Sequence, residues 1–306
     1  MLTARTPDRL TLAAFAATVL IGGANAIAVR FTLRELTPFW GASLRFGLAT
    51  IVVVAAVIAL RRTWPSRRHV PGILLFGFVN FGITYVFLYT GLRDAPAGTT
   101  GVVTALTPLL TLVLAVAQRV ERFRPTALVG TLIAGSGIAL VFANQASLDV
   151  PIPALLALVG AAACLAETGV LVKRFPPGDP LVAVAFGLPI GATFLAGLSV
   201  VAGEPWVLPS RPESWAALAY LVVFASIVGF VLTLFVLSRW TASANSYAFL
   251  MSPLVSVALG ALLLGETVQP AFVLGGALVL AGVYVGAVLR TRTGPAPAAS
   301  EPVTTG

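Results

Sequence analysis

Ten apolar runs of about 20 residues follow one another along this chain, and that length crosses the roughly 30 Å hydrocarbon core of a bilayer. They cover 10–29, 38–60, 71–91, 96–117, 125–143, 153–172, 181–202, 215–237, 242–264 and 270–289, between charged or proline-rich breaks. Of 306 residues, 58% are hydrophobic and 10% charged, against about 45–50% and 25% in a soluble domain. That excludes a soluble globular fold. Disorder would need low hydrophobicity and high charge, and a disulfide scaffold would need paired cysteines, whereas Cys164 stands alone. The runs are also too long for the alternating strands of an outer-membrane barrel. The chain therefore reads as an all-α integral membrane protein with ten transmembrane helices. Ala24, Asn25 and Ala26 imitate a signal-peptide cleavage site, but the first run is longer than a signal peptide's apolar core.

The net charge of +8 would suit nucleic acid, yet the basic residues sit in short runs between apolar stretches and form no arm or stripe. They read as topology signals, and nucleic acid is not an expected partner. With an even number of spans both termini share one side. That side carries 14 Lys and Arg (5, 9, 61, 62, 67, 68, 119, 122, 124, 173, 174, 239, 290 and 292), and the other carries 4 (30, 34, 93 and 211). By the positive-inside rule both termini should be cytoplasmic. Trp40, Trp64, Trp206, Trp215 and Trp240 fall at or just beyond expected helix ends, where interfacial indoles belong. Eighteen arginines against one lysine suggest a GC-rich bacterial genome and so a bacterial inner membrane. The single His69 offers no metal cluster, and no cofactor motif occurs.

An offset of 145 residues places Pro108 on Pro253, Glu121 on Glu266, Pro125 on Pro270, Gly130 on Gly275 and Gly137 on Gly282. The repeat holds five helices, and an odd number makes the second copy enter the membrane from the opposite side. Two inverted five-helix repeats follow, at 10–145 and 153–290, with a short tail at 1–9 and a disordered tail at 291–306. This architecture is associated with alternating-access transporters.

The same offset reveals a polar stripe. Thr100, Thr104, Thr107 and Thr111 share one face of the fourth helix, and their counterparts in the ninth are Asn245, Phe249, Ser252 and Ser256. Such hydroxyls either bond back to their own helix, glue helices together, or line a cavity. Pro108 and Pro253 interrupt these two helices at matching places, and paired breaks point to a central binding site.

Glu167 is the carboxylate placed well inside a span, where an ionised acid is expensive. Proton coupling and capture of a cationic group are its functional readings, and a neutral acid bonded to a neighbouring helix is the structural one. Arg45 lies near enough to the outer end of the second helix to snorkel. Asn25, Asn80 and Thr84 are further candidates to line the cavity, or to act as interhelical glue. Glu121 and Glu266 end the fourth and ninth helices, where each could help close its side of a pathway. The glycines at 130, 135, 137, 275, 276, 282 and 286 read as close-packing surfaces.

These residues give the chain a resemblance to the drug/metabolite transporter superfamily, in its EamA-type branch, over residues 10–290. The matches are Pro108 and Pro253, Glu121 and Gly265-Glu266, Arg45-Phe46, the small and polar end of the first helix around Gly22, Gly23 and Asn25, and the glycines of the fifth and tenth helices. Val120-Glu121 stands where the family usually shows Gly-Glu, and the first helix lacks the frequent Trp before its glycine. The resemblance implies export of amino acids or related amphipathic metabolites by a secondary transporter, with a small-molecule substrate and the lipid bilayer as partners; protons are a further candidate partner, on the coupling reading of Glu167 alone. The alternatives are an uncoupled facilitator or importer of the same solutes, and a membrane-embedded enzyme. A nucleotide-driven pump lacks its phosphate loop here. An enzyme lacks a Ser-His-Asp set, paired intramembrane aspartates or a histidine cluster.

Overall fold

A computed structural model describes residues 7–95, 97–143, 150–264 and 270–289, and the regular structure there is helical throughout. Each expected run corresponds to one span. The first (Arg9–Thr32), second (Pro38–Ala59), fifth (Pro125–Val141), sixth (Ile152–Arg174) and seventh (Pro180–Val201) are continuous. The fourth is split into Ala97–Thr104 and Thr107–Ala117, and the ninth into Ala242–Ser246 and Ala248–Leu264. The third carries a π-helical stretch, Phe78–Ile83, between Val70–Gly77 and Thr84–Asp94. In the eighth, Leu221–Val228 does the same between Pro212–Tyr220 and Gly229–Arg239, and the tenth passes from Pro270–Val283 into Tyr284–Val288. Among the described residues, nine spans are apolar over 18 residues or more. The fifth, at 17 residues, is about 25 Å long and still crosses.

Pro38, Pro125, Pro180, Pro212 and Pro270 each open a span. A proline there forfeits an N–H that has no intrahelical acceptor anyway, and its ring pre-sets φ.

The packing is two-fold symmetric. The second span lies on the seventh and the fifth on the tenth, the third on the sixth repeats the eighth on the first, and the fourth on the sixth repeats the ninth on the first. Since each unit has five spans, the second unit runs opposite to the first. We call the side where the first span begins and the tenth ends the terminal face, and the other the far face.

The fifth and tenth spans meet backbone to backbone. A Cβ on Gly137 would stand 2.5 Å from the Gly275 carbonyl oxygen, and one on Gly282 would stand 2.5 Å from the Ala134 nitrogen. Only glycine permits this approach, which is how apolar helices associate where lipid supplies no hydrophobic drive. Gly135 and Gly276 do not share the role, because a Cβ on either would meet nothing closer than 3.9 Å. Residues such as Ile51, Leu132 and Leu274 point outward, as lipid-facing side chains do.

Carboxylates just past the end of one span cap the start of another. Glu204, after the seventh span, accepts from Phe39 N at 3.2 Å and Trp40 N at 2.7 Å. Glu35, after the first, takes the Ser210 hydroxyl and the Ser210 and Arg211 amides ahead of the eighth. Those donors, the Ser210 hydroxyl foremost, hold its carboxyl down at about 2. Each acid satisfies amides that a helix start leaves without partners, and each lies at the positive end of a helix dipole.

Trp40 stacks on Trp206 at 4.4 Å at the far face, as interfacial indoles should. Trp240 departs from that expectation. It is buried and packs edge-on against Phe15 at 5.4 Å, because the first span covers the junction between the eighth and ninth.

Candidate functional site

The threonines of the fourth span spend their hydroxyls on their own helix. Thr104 donates to the Thr100 carbonyl at 2.8 Å, Thr107 to Thr104 at 2.6 Å and Thr111 to Thr107 at 2.7 Å. This back-bonding keeps polar side chains satisfied inside an apolar bundle. The break falls at Ala105 and Leu106, with Pro108 in the first turn of the helix that follows. Thr84 likewise donates to Val79 O at 2.7 Å.

The ninth span behaves differently. Pro253 lies inside a continuous helix, and the break comes at Tyr247, six residues earlier. Tyr247 is buried, and its hydroxyl lies 3.0 Å from both Thr131 Oγ1 and Ala127 O of the fifth span. Gly286 of the tenth leaves room for that phenol. The tyrosine's anchorage, rather than the proline, accompanies the break, so the two interruptions do not fall at equivalent positions. Ser252 and Ser256 bind this helix to the first span, at Val19 O (3.4 Å) and Gly23 O (2.7 Å). A Cβ on Gly22 or Gly23 would collide with Ser252 or Val255, so the small end of the first span is a packing surface.

Glu121 follows the fourth span at the terminal face. Its carboxylate accepts from the amides of Ala242 and Ser243 and from the Ser243 hydroxyl, tying the end of the fourth span to the start of the ninth. The short helix Ala242–Ser246 packs on the second half of the fourth span and on the sixth. The mirror arrangement would lay Ala97–Thr104 on the ninth and first spans. Among the described residues that packing is much weaker, and Ala97–Thr104 lies on the sixth span instead. Among the described residues, the contacts that tie the two broken spans together are thus made at the terminal face and are not repeated at the far face. There a groove of about 360 Å³ runs between the first, eighth and ninth spans, lined by Ala24, Ile27, Phe31, Tyr220 and Leu259. Glu266 lies outside the described residues.

Three buried amide atoms lack partners: Asn25 Oδ1, Asn80 Nδ2 and Asn245 Oδ1. A buried polar group left unsatisfied costs about 1–3 kcal/mol, so each is a place where a ligand or water would be welcome. They come from the first, third and ninth spans. Glu167 is half-buried, and Gln118 Nε2, at the end of the fourth span, donates to it at 2.6 Å. Gln118 in turn faces Arg174. Glu167 therefore belongs to a polar group near the terminal face.

Arg45 corrects its own expectation. It does not snorkel: it is 3% exposed, and its Nε donates to Ser226 Oγ at 2.7 Å. Ser226 comes from the π-helical stretch of the eighth span, and Asn80 from the matching stretch of the third. Such stretches recur at functional sites because the extra residue re-aims side chains. The guanidinium lies over the Phe46 ring at 5.3 Å and within electrostatic reach of Tyr89 and Tyr220. No carboxylate among the described residues pairs with it. The sequence singled out this residue but could not orient it, because depth along a helix does not say whether a side chain faces lipid, water or another helix.

The EamA-like transporter family matches residues 9–143 and again residues 152–287. The chain belongs to that family. A protein of Archaeoglobus fulgidus named an uncharacterized transporter is 27% identical over 289 residues, spanning 90% of this chain and 98% of that one. A probable amino-acid metabolite efflux pump of Salmonella typhimurium is 25% identical, over 87% of this chain and 91% of that protein. A crystal structure superimposes with a TM-score of 0.77 at 22% identity, covering 91% of this chain and 96% of its own, and so shares the fold. The chain is thus a multi-pass membrane transporter of EamA type, and the two family matches fall on the two symmetric halves of the bundle.

Proposed function

We propose that this EamA-type transporter is a secondary exporter of small amphipathic metabolites, amino acids or their relatives, working by alternating access between its two inverted halves. The observation that carries the reading is the asymmetry of the two broken spans. Ala242–Ser246 leans across to Glu121 at the terminal face, while among the described residues its counterpart Ala97–Thr104 packs on the sixth span instead of leaning across to the ninth and first. Exchanging the two conformations between the halves would open the terminal face and close the far one. That is the motion an inverted repeat permits at little cost.

The charge bias of 14 to 4 supports a cytoplasmic terminal face in a bacterial inner membrane. On that placement the end joined through Glu121 is the closed end, and it faces the cytoplasm. The name of the Salmonella relative supports efflux of amino-acid metabolites. Glu167 is the candidate for proton coupling, since it is partly exposed, near the terminal face and bonded to a neutral amide.

Metabolite profiles of cells with and without the protein test the reading. An exporter lowers the cell content of a small set of amino-acid metabolites and raises them in the medium. The purified chain in liposomes should then give saturable counterflow of the same compounds. Unchanged profiles with no counterflow would reject it.

A further inference from the structure

We infer that Arg45 is an anion subsite of the transport pathway and holds the carboxylate of the substrate; the inference rests on the transporter reading above and names the group recognised. Arg45 is the charged residue among the fully buried ones described, at 3% exposure, roughly 10 Å from the start of the second span. One of its donors, Nε–H, is satisfied by Ser226. Its two Nη groups have no partner among the described residues. The acid whose field reaches the same tyrosine, Glu204, is already held by Phe39 N, Trp40 N and the Ser199 hydroxyl.

The fold does not need a cation at this place. The internal two-fold puts Ile190 of the seventh span where Arg45 stands, and Ile190 packs against Gly77 of the third span. It likewise puts Phe81 where Ser226 stands, and Phe81 is a fully buried ring packed on Phe46, Phe76 and Phe230. One half of the molecule thus builds this crossing from apolar groups, and the other half builds it from a guanidinium and a hydroxyl. A pairing required only for helix packing would have been met by the apolar version.

The chemistry selects the ligand. A guanidinium with both Nη groups free presents a planar fork that matches a carboxylate. A single buried charge balances a monoanion, whereas a phosphate dianion would call for a second cation. The Phe46 ring, 5.3 Å from the guanidinium carbon, supplies an apolar wall, suited to a substrate with a carboxylate at one end and an apolar body.

The test uses the full chain in nanodiscs and its thermal unfolding midpoint at constant ionic strength. The probes are benzoate, phenylacetate and L-phenylalanine, each against its own amide. At least one carboxylate should raise the midpoint saturably, with its amide at least tenfold weaker. Arg45→Ile, which copies the other half of the molecule, should fold and lose the effect. Arg45→Lys should shift half-saturation at least tenfold, and it decides the matter if the isoleucine variant fails to fold. Carboxylates that act no better than their amides, or that act equally on the variants, would overturn the subsite. Export from cells separates the two claims: wild-type export by Arg45→Ile removes the subsite and leaves the transporter, whereas no export by the wild type removes the transporter itself.

Discussion

The Glu121 carboxylate receives the Ser243 hydroxyl at 2.7 Å and the Ser243 amide at 3.2 Å, so an acid at the end of one broken span caps the start of the other. A cap of this kind is worth about 1 kcal/mol, roughly a fivefold change in an equilibrium. Glu121→Ala and Ser243→Ala should each shift the protein toward an open terminal face by about that factor. A single cysteine placed by Ser246→Cys, in a Cys164→Ala background, should then be labelled several times faster from the terminal side. Unchanged labelling would remove the latch from the closure of that face. Joining Glu121→Cys to Ser243→Cys with a short thiol cross-linker should stop transport, and cleaving the linker should restore it.

Orientation follows from charge. Ser66→Cys in the same background should resist an impermeant thiol reagent applied to intact cells, and Ser147→Cys should react. The opposite pattern would reverse the placement of both termini and the direction assigned to the closed end.

The two prolines should no longer behave alike. Pro108 directly follows the break in the fourth span, so Pro108→Ala, which restores a backbone donor, should straighten that span and cut transport strongly. Pro253 lies within continuous helix, and Pro253→Ala should impair transport less. Tyr247→Phe, which loses the hydroxyl contacts to Thr131 and Ala127, should have the larger effect in the ninth span. Transport rates normalised to inserted protein rank the three.

Glycine effects should split within one turn. Gly137→Ala forces a methyl against the Gly275 carbonyl and should destabilise by about 1–3 kcal/mol. Gly135→Ala meets nothing within 4 Å and should leave the unfolding midpoint nearly unchanged. Equal losses would place the fifth and tenth spans in a different register.

Glu167→Gln keeps a hydrogen-bonding partner for Gln118 but cannot release a proton. With a pH gradient as the sole energy source, uphill transport should be lost while equilibrium exchange persists. If the variant concentrates substrate as well as wild type, coupling lies elsewhere.

The membrane spans and the two-repeat pattern were legible because both are properties of order along the chain. Twenty apolar residues must cross a bilayer wherever they pack, and five residues in register at one offset show the duplication without any coordinates. Candidate residues were legible as types. Asn25, Asn80 and Asn245 stood out as amides in apolar runs, and each now holds a buried atom without a partner. The threonine stripe was equally visible, but whether a hydroxyl turns outward or back onto its own carbonyl depends on a rotamer that spacing does not encode.

The order of residues by itself thus determined a ten-span helical bundle of two opposed halves, since hydropathy and repeat parity act locally and sum along the chain. Tertiary structure decided which half leans where. The 145-residue symmetry predicts equivalent breaks, and the molecule departs from it at Tyr247, which the fifth span captures. It also decided that Arg45 is buried on Ser226 instead of reaching for water. Those outcomes depend on which faces of distant helices meet, and spacing along the chain does not encode that.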